Sequence, residues 1–202
     1  MTILTWIDLE TTGLKPSGGH RILEYAVVFT DLELNEIASC EGVIPQYENE
    51  ARALMDDYVT KMHTDNGLLD AIKCAQVGNI KAHNAISYGC EVQLAEERIL
   101  NMMDGDKSVI FVIAGSNILF DVKWIMEQMP GVARRLDHKN VIEGPESYRC
   151  LDVSSYKVGF PDIFKTATSA KHRAMDDIRA SIAMHAKMRS MVEDAWKYET
   201  LE

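Results

Sequence analysis

The sequence predicts an α/β fold, a mixed sheet with helices packed over it, and three observations predict it. Apolar runs at 3–9, 21–31 and 36–44 are parted by turn-like Gly and Asn signals, the pattern of a strand meander. "SVIFVIAGS" at 108–116 is one continuous apolar run between polar flanks, as a buried central strand requires. Helical periodicity fills much of the remainder, so strands come first and then alternate with helices.

The first strand, Ile3 to Leu9, is broken at Gly13. From residue 50 the pattern turns helical through "ARALMDDYV", with a second helix near "GLLDAIKCA". In "EVQLAEERILNMM" (91–103), Val92, Leu94, Ala95, Ile99, Leu100 and Met103 recur near one helical face. A helix begins at about Asn117, runs through "FDVKWIMEQM" and stops before Pro130. "YRCLDVSS" reads as a short strand ending in a helix cap, and the last long helix spans about 173–196. Residues 131–147 lack clean periodicity and contain Gly144-Pro145, so their second half is expected to be a surface loop. No repeat or linker divides the chain, and one domain over 1–202 is expected.

Composition narrows the function classes. The chain is 47% hydrophobic and 26% charged, which suits a globular core. The start lacks a basic segment, acids interrupt its apolar run, and no stretch approaches the ~20 apolar residues that span a bilayer. A cytoplasmic protein with no membrane partner is therefore expected. Cys40, Cys74, Cys90 and Cys150 are scattered without a C-x-x-C pair, which argues against a zinc cage or disulfide framework. The net charge of -10 argues against a long track for nucleic acid. Residues 121–175, however, hold nine Lys/Arg against seven Asp/Glu. A locally basic strip in an acidic protein suits a short anionic ligand, and bound divalent metals would offset clustered acids.

Asp8 and Glu10, in "WIDLETTGL", are two apart near a strand end, so both face one side while Leu9 faces the other. Two adjacent acids repel, and burying them without a cation is costly. Asp121 lies in the first turn of a helix, where an acid also favours the positive helix end. "HRAMDD" (172–177) offers Asp176 and Asp177, about 100° apart on the last helix. The period through Asp177 continues to Ser181, Met184 and Met188, beside Ile178 and Ile182. Asp176 continues to Ala180, Ala183 and Lys187, towards the polar side. Periodicity thus favours Asp177 as the inward acid. His172 precedes that helix, and imidazole is the side chain best suited to take a proton near neutrality. Taken together, four carboxylates could hold two divalent ions for phosphoryl displacement, with a histidine at their edge.

"DLETTGL", "FDVKWI" and "HRAMDD" resemble the three motifs of the DEDD-type 3′-to-5′ exonucleases, in the subgroup with a motif histidine. Together with "RILEYA", "LMDDYVTKMHTDNGLLD", "YRCLDVSS" and "HRAMDDIRASIA", they are similar to the oligoribonucleases, in order, up to about Ala183. The resemblance implies an RNase H-like fold with a mixed five-stranded sheet, a homodimer, and release of 5′-mononucleotides from very short RNAs with Mg²⁺ or Mn²⁺. It implies that Asp8, Glu10, Asp121 and Asp177 are metal ligands and His172 the general base. It also implies Leu14 as a wedge between two bases, Tyr58 as a base-stacking residue and His63 as a substrate contact. Tyr148 and Arg149 would reach into the partner's active site, and Arg149, Ser154 and Ser155 would cap the substrate's 5′-phosphate.

The chain departs from the family pattern in places. "GSN" at 115–117 stands where Gly-Asn-Ser is typical, putting Asn117 near the 5′-phosphate in place of a hydroxyl. The segment before Tyr148 is longer than usual, and the one between "DVSS" and His172 is shorter. Two other readings follow: a DnaQ-like exonuclease on longer single-stranded DNA or RNA, and a binding protein that keeps the fold without the chemistry.

Overall fold

The computed structural model describes residues 1–82, 86–105, 108–136, 149–164 and 171–199. Strands β1 (Thr2–Thr11), β2 (Ile22–Thr30) and β3 (Glu36–Val43) form an antiparallel meander. β4 (Ile110–Gly115) runs parallel to β1, and the short β5 (Leu151–Asp152) runs parallel to β4. The described sheet has five strands in the order β3-β2-β1-β4-β5. The helices are α1 (Glu48–Arg52), α2 (Asp57–Asp65), α3 (Leu68–Ala82), α4 (Tyr88–Met102), α5 (Ile118–Gln128), α6 (Pro130–Arg135), α7 (Ser154–Gly159), α8 (Pro161–Phe164) and α9 (Ala174–Glu199). The mixed sheet covered by helices is the architecture the sequence predicts.

Strand alternation divides the core into two layers. Ile3, Ile7 and Leu9 of β1 face one side with Val27, Phe29, Phe111 and Ile113, against Ile99 of α4, Trp124 of α5 and Val132 of α6. Leu4 and Trp6 face the other side with Val28 and Val112, against Ile178 and Met184 of α9 and Phe164 of α8. Trp6 is wholly buried, and its indole N–H donates to Thr30 Oγ1 at 3.1 Å, so the ring costs no unpaired donor. A smaller cluster of Leu23, Ala51, Leu68, Leu69 and Ile72 ties α1 and α3 to β2.

Two local expectations are corrected, and one short helix is added. The helix expected from residue 50 is two helices, because Asp56 takes extended backbone angles and accepts the Val59 N–H at 2.8 Å, starting α2 anew. Leu94, placed on the inner face of α4, is 49% exposed while Val92, Ala95, Ile99 and Met103 are buried. The inner stripe is thus narrower than an apolar count suggests. Residues 130–135 form α6, with Pro130 in the first turn, where its missing N–H is no loss. The loop expected about 137–147 lies outside the described residues.

Replacing Ile99 by Ala should lower the unfolding free energy by about 2–5 kcal/mol. Leu94→Ala on the same helix should change it by less than about 0.5 kcal/mol. Urea denaturation of the two variants checks this, and equal losses would reverse the face assignment.

Candidate active site

β4 ends at Gly115 while β1 continues to Thr11, so Asp8 and Glu10 emerge at the carboxyl end of the parallel pair. That end of an open α/β sheet is the usual place for a ligand site. The alternation that turns Leu4 and Trp6 towards α9 turns both acids the same way. Asp121, in the first turn of α5, is 3% exposed, and its Oδ1 accepts the backbone N–H of Leu9 at 3.0 Å. The bond ties the helix start to the strand between the two acids.

Asp177 lies in the first turn of α9. Its two carboxylate oxygens accept the N–H groups of Lys171 and His172, each at 3.0 Å, folding the preceding chain back over the helix start. His172 is held with φ at 54°, in the left-handed region, and its carbonyl accepts from Asn66 of the α2–α3 turn. Asp176 instead points outward and pairs with Lys171 Nζ at 3.3 Å. Asp8, Glu10, Asp121, His172 and Asp177 all line one cleft of about 310 Å³. Within it, one ligand atom each from Glu10, His172 and Asp177 lies within 4.8 Å of the others.

The cleft is electrostatically frustrated. Burial first, then the charges of Asp177 and Glu24, push the Asp8 carboxyl up to about 8. Burial, followed by Asp8, Asp177, Glu24 and Asp121, pushes Glu10 up to about 9. Burial and the Asp8 charge raise Asp121 well above the usual carboxylate range. A divalent cation relieves all three, and carboxylate oxygens are hard donors of the kind such ions take. The donor set fits.

Comparison with known proteins gives the family. The oligoribonuclease of Escherichia coli strain K12 is 34% identical over 191 residues, covering 92% of this chain and 93% of that protein. That of Salmonella typhimurium strain LT2 is also 34% identical over the same coverage. The chain belongs to the oligoribonuclease family. A family model described as Exonuclease, RNase_T, matches residues 5–87, the part that carries Asp8 and Glu10. Oligoribonucleases are 3′-to-5′ exonucleases, and this chain is an enzyme of that class. The fold recurs in the zinc-bound complex of E. coli exonuclease I with single-stranded DNA, at TM-score 0.59 and 16% identity over 98% of this chain. Another exonuclease I structure gives TM-score 0.57 at 17% identity over 91% of the chain. This chain spans only about two fifths of those proteins, 42% and 40%, so the likeness is one of fold.

Around the cleft, other residues of this oligoribonuclease-family chain fall less uniformly. Leu14 and Tyr58, 77% and 72% exposed, line an adjoining pocket of about 720 Å³ that shares Glu10, Phe120 and His172 with the cleft. Asn117 lines the cleft itself, with φ at 59° and its N–H on Asp152 Oδ1 at 3.0 Å. His63, expected to touch substrate, is completely enclosed. Its Nε2 meets the Thr11 carbonyl at 3.1 Å and lies 3.9 Å from Glu10 Oε2, so it sits beneath the strand end instead of at an open surface. Arg149, Ser154 and Ser155 are not in the cleft wall, whereas Lys157 from the same segment is. Tyr148 lies outside the described residues.

Lys157 belongs to the basic strip but carries no motif of its own. Glu24 and Arg173, which pair beside the cleft, were also missed. A lone acid inside "ILEYAVVFT" was the available signal, since every residue of that strand is buried.

The raised carboxyls set a pH dependence. Glu10 ionises near pH 4.5 unfolded and near 9 folded, so its stability contribution is full below 4.5 and lost as pH rises through 9. In chelator, Glu10→Gln should therefore gain stability relative to the wild type as pH rises across that window, read as melting temperature. Added Mn²⁺ should reverse the order at high pH. A difference independent of pH would show that Glu10 is not protonated in the metal-free fold.

Proposed function

We propose that this oligoribonuclease-family enzyme removes 5′-mononucleotides from the 3′ ends of dinucleotides and short oligoribonucleotides, holding two Mg²⁺ or Mn²⁺ ions on Asp8, Glu10, Asp121 and Asp177. The observation that carries it is the convergence of those four carboxylates and His172 on one cleft. When bound, the ions would neutralise phosphate charge and make water a better nucleophile. His172, on the strained turn at the cleft edge, takes the proton of the attacking water. Asp121 and Asp177 are held by backbone N–H groups, so their oxygens keep a fixed geometry while charge moves past them. Leu14 and Tyr58 offer apolar surface to the terminal bases, and Asn117 and Lys157 face the substrate's phosphate side.

The family resemblance extends the proposal to a cytoplasmic homodimer in which Tyr148 and Arg149 act in the partner's site, with Arg149, Ser154 and Ser155 capping a 5′-phosphate. A cap of this kind would set substrate length, because a longer chain clashes with it. One observation favours a second reading, a DnaQ-like exonuclease on longer single strands: the order Gly115-Ser116-Asn117 alters the expected phosphate contact.

Cleavage of 5′-phosphorylated RNAs from two to about ten nucleotides, beside matched DNA, separates the readings. The rate should peak at the dinucleotide and fall steeply with length. A flat or rising profile, above all on DNA, selects the second reading. Asp177→Ala should lower kcat/KM at least about a hundredfold, while Asp176→Ala stays within about threefold. Equal losses in two folded variants would overturn the choice between the neighbouring acids.

A further inference from the structure

Glu24 is a fifth acid at the same end of the sheet. It stands directly opposite Glu10 in the β1–β2 register and, at 4% exposure, is as enclosed as Glu10 and Asp121. Its partners include a guanidinium. Arg173 grips it with a two-pronged contact: Nη2 lies 2.6 Å from Oε1, and Nε lies 3.1 Å from each oxygen. The N–H of Ala174, the first residue of α9, donates to Oε2 at 3.0 Å. A helix leaves its first N–H groups unpaired, and here a strand residue 150 positions away takes one of them.

The consequence lies on either side of Arg173. Its neighbour His172 sits at φ 54°, between the Arg173 anchor, the Asp177 carboxylate on its N–H and Asn66 on its carbonyl. Residues in that region persist only where their surroundings over-determine them. Asp177 sits in the first turn that Glu24 fixes. The antiparallel register then fixes Glu24 against Glu10, so one side chain links both halves of the site.

We infer that Glu24, through Arg173 and the start of α9, is the positioning residue that sets His172 and Asp177 against Asp8 and Glu10. It is not among the residues that line the cleft. Its carboxylate is taken up by Arg173 and the Ala174 N–H. The inference rests on the assignment of His172 and Asp177 to the reaction, so His172→Ala is the reference variant.

The experiment measures kcat and KM on a 5′-phosphorylated diribonucleotide for Glu24→Ala, Glu24→Gln, Arg173→Lys and His172→Ala. Mn²⁺ affinity by titration calorimetry is measured where each variant is fully folded. Phe29→Leu, in the opposite core layer, serves as a control for general destabilisation. Glu24→Ala should lower kcat about 10- to 100-fold, as misplacement of reacting groups does. KM should stay within about threefold, and Mn²⁺ binding should weaken. Gln, which keeps an acceptor for Ala174, should recover part of the loss. Arg173→Lys, with its side chain 35% exposed, should fold and show the same kcat-selective loss even where Glu24→Ala does not fold. Unchanged kcat in Arg173→Lys, or a loss in the Glu24 variants no greater than Phe29→Leu gives at equal melting temperature, would overturn the inference. Full activity in His172→Ala would instead remove the catalytic reading on which it stands.

Discussion

Mutual repulsion among buried carboxylates is the constraint around which the molecule is arranged. Asp8, Glu10, Asp121 and Asp177 converge from a strand and two helix starts, and three of them are driven towards their protonated forms by burial and by one another. Nothing in hydrophobic packing asks for that convergence. A fold that tolerates it must hold each acid by other bonds and keep the rest of its core well packed. Both features are present: backbone N–H groups hold Asp121 and Asp177, and two dense layers flank the sheet. A cation bound there would recover the stability that the fold gives up locally.

The sheet topology makes the cost bearable. Parallel pairing of β1 with β4 leaves β1 projecting past its neighbour, so its acids reach an edge, not the middle of the core. The helix start after β4 returns Asp121 to that edge, and α9 crosses the other face to deliver Asp177. Helix starts carry partial positive charge, which makes the first turns of α5 and α9 favourable places for anions. Glu24 shows the alternative solution at the same edge: an acid neutralised within the chain instead of by a bound ion.

Much of this was legible in the sequence, for reasons of period. The strand runs and the apolar stripe beside Asp177 are local patterns, and they located the sheet, α9 and the inward acid. Asp8 and Glu10 sharing a face follows from alternation alone. What was not legible depends on partners distant in the chain. Glu24 and Arg173 lie 149 residues apart, and although "RILEYA" and "HRAMDD" both resemble family segments, nothing local to either says that the two side chains pair. His63 was named only through the family resemblance, and nothing local to its helix says that the packing of α2 against the end of β1 encloses it. Leu94 failed for the opposite reason, since an apolar residue adjacent to a buried stripe can still face water.

The same charges bear on substrate length. Outside the cleft, Tyr58, Lys61, Asn66 and Lys171 line a further hollow on the far side of His172, where a longer strand could run. Its two cations are already paired, Lys61 with Asp65 at 2.5 Å and Lys171 with Asp176 at 3.3 Å. A strand phosphate binding there would have to displace a carboxylate that is tethered close to its partner. Affinity for each further nucleotide would therefore rest on base contacts, with little of the counterion release that drives polymer binding. Within the cleft, by contrast, Lys157 and a divalent cation would face the phosphate of whichever short chain enters. Among the described residues, the cations of that hollow are engaged while Lys157 lines the cleft, and this weighs towards the short-substrate reading over the long-strand one.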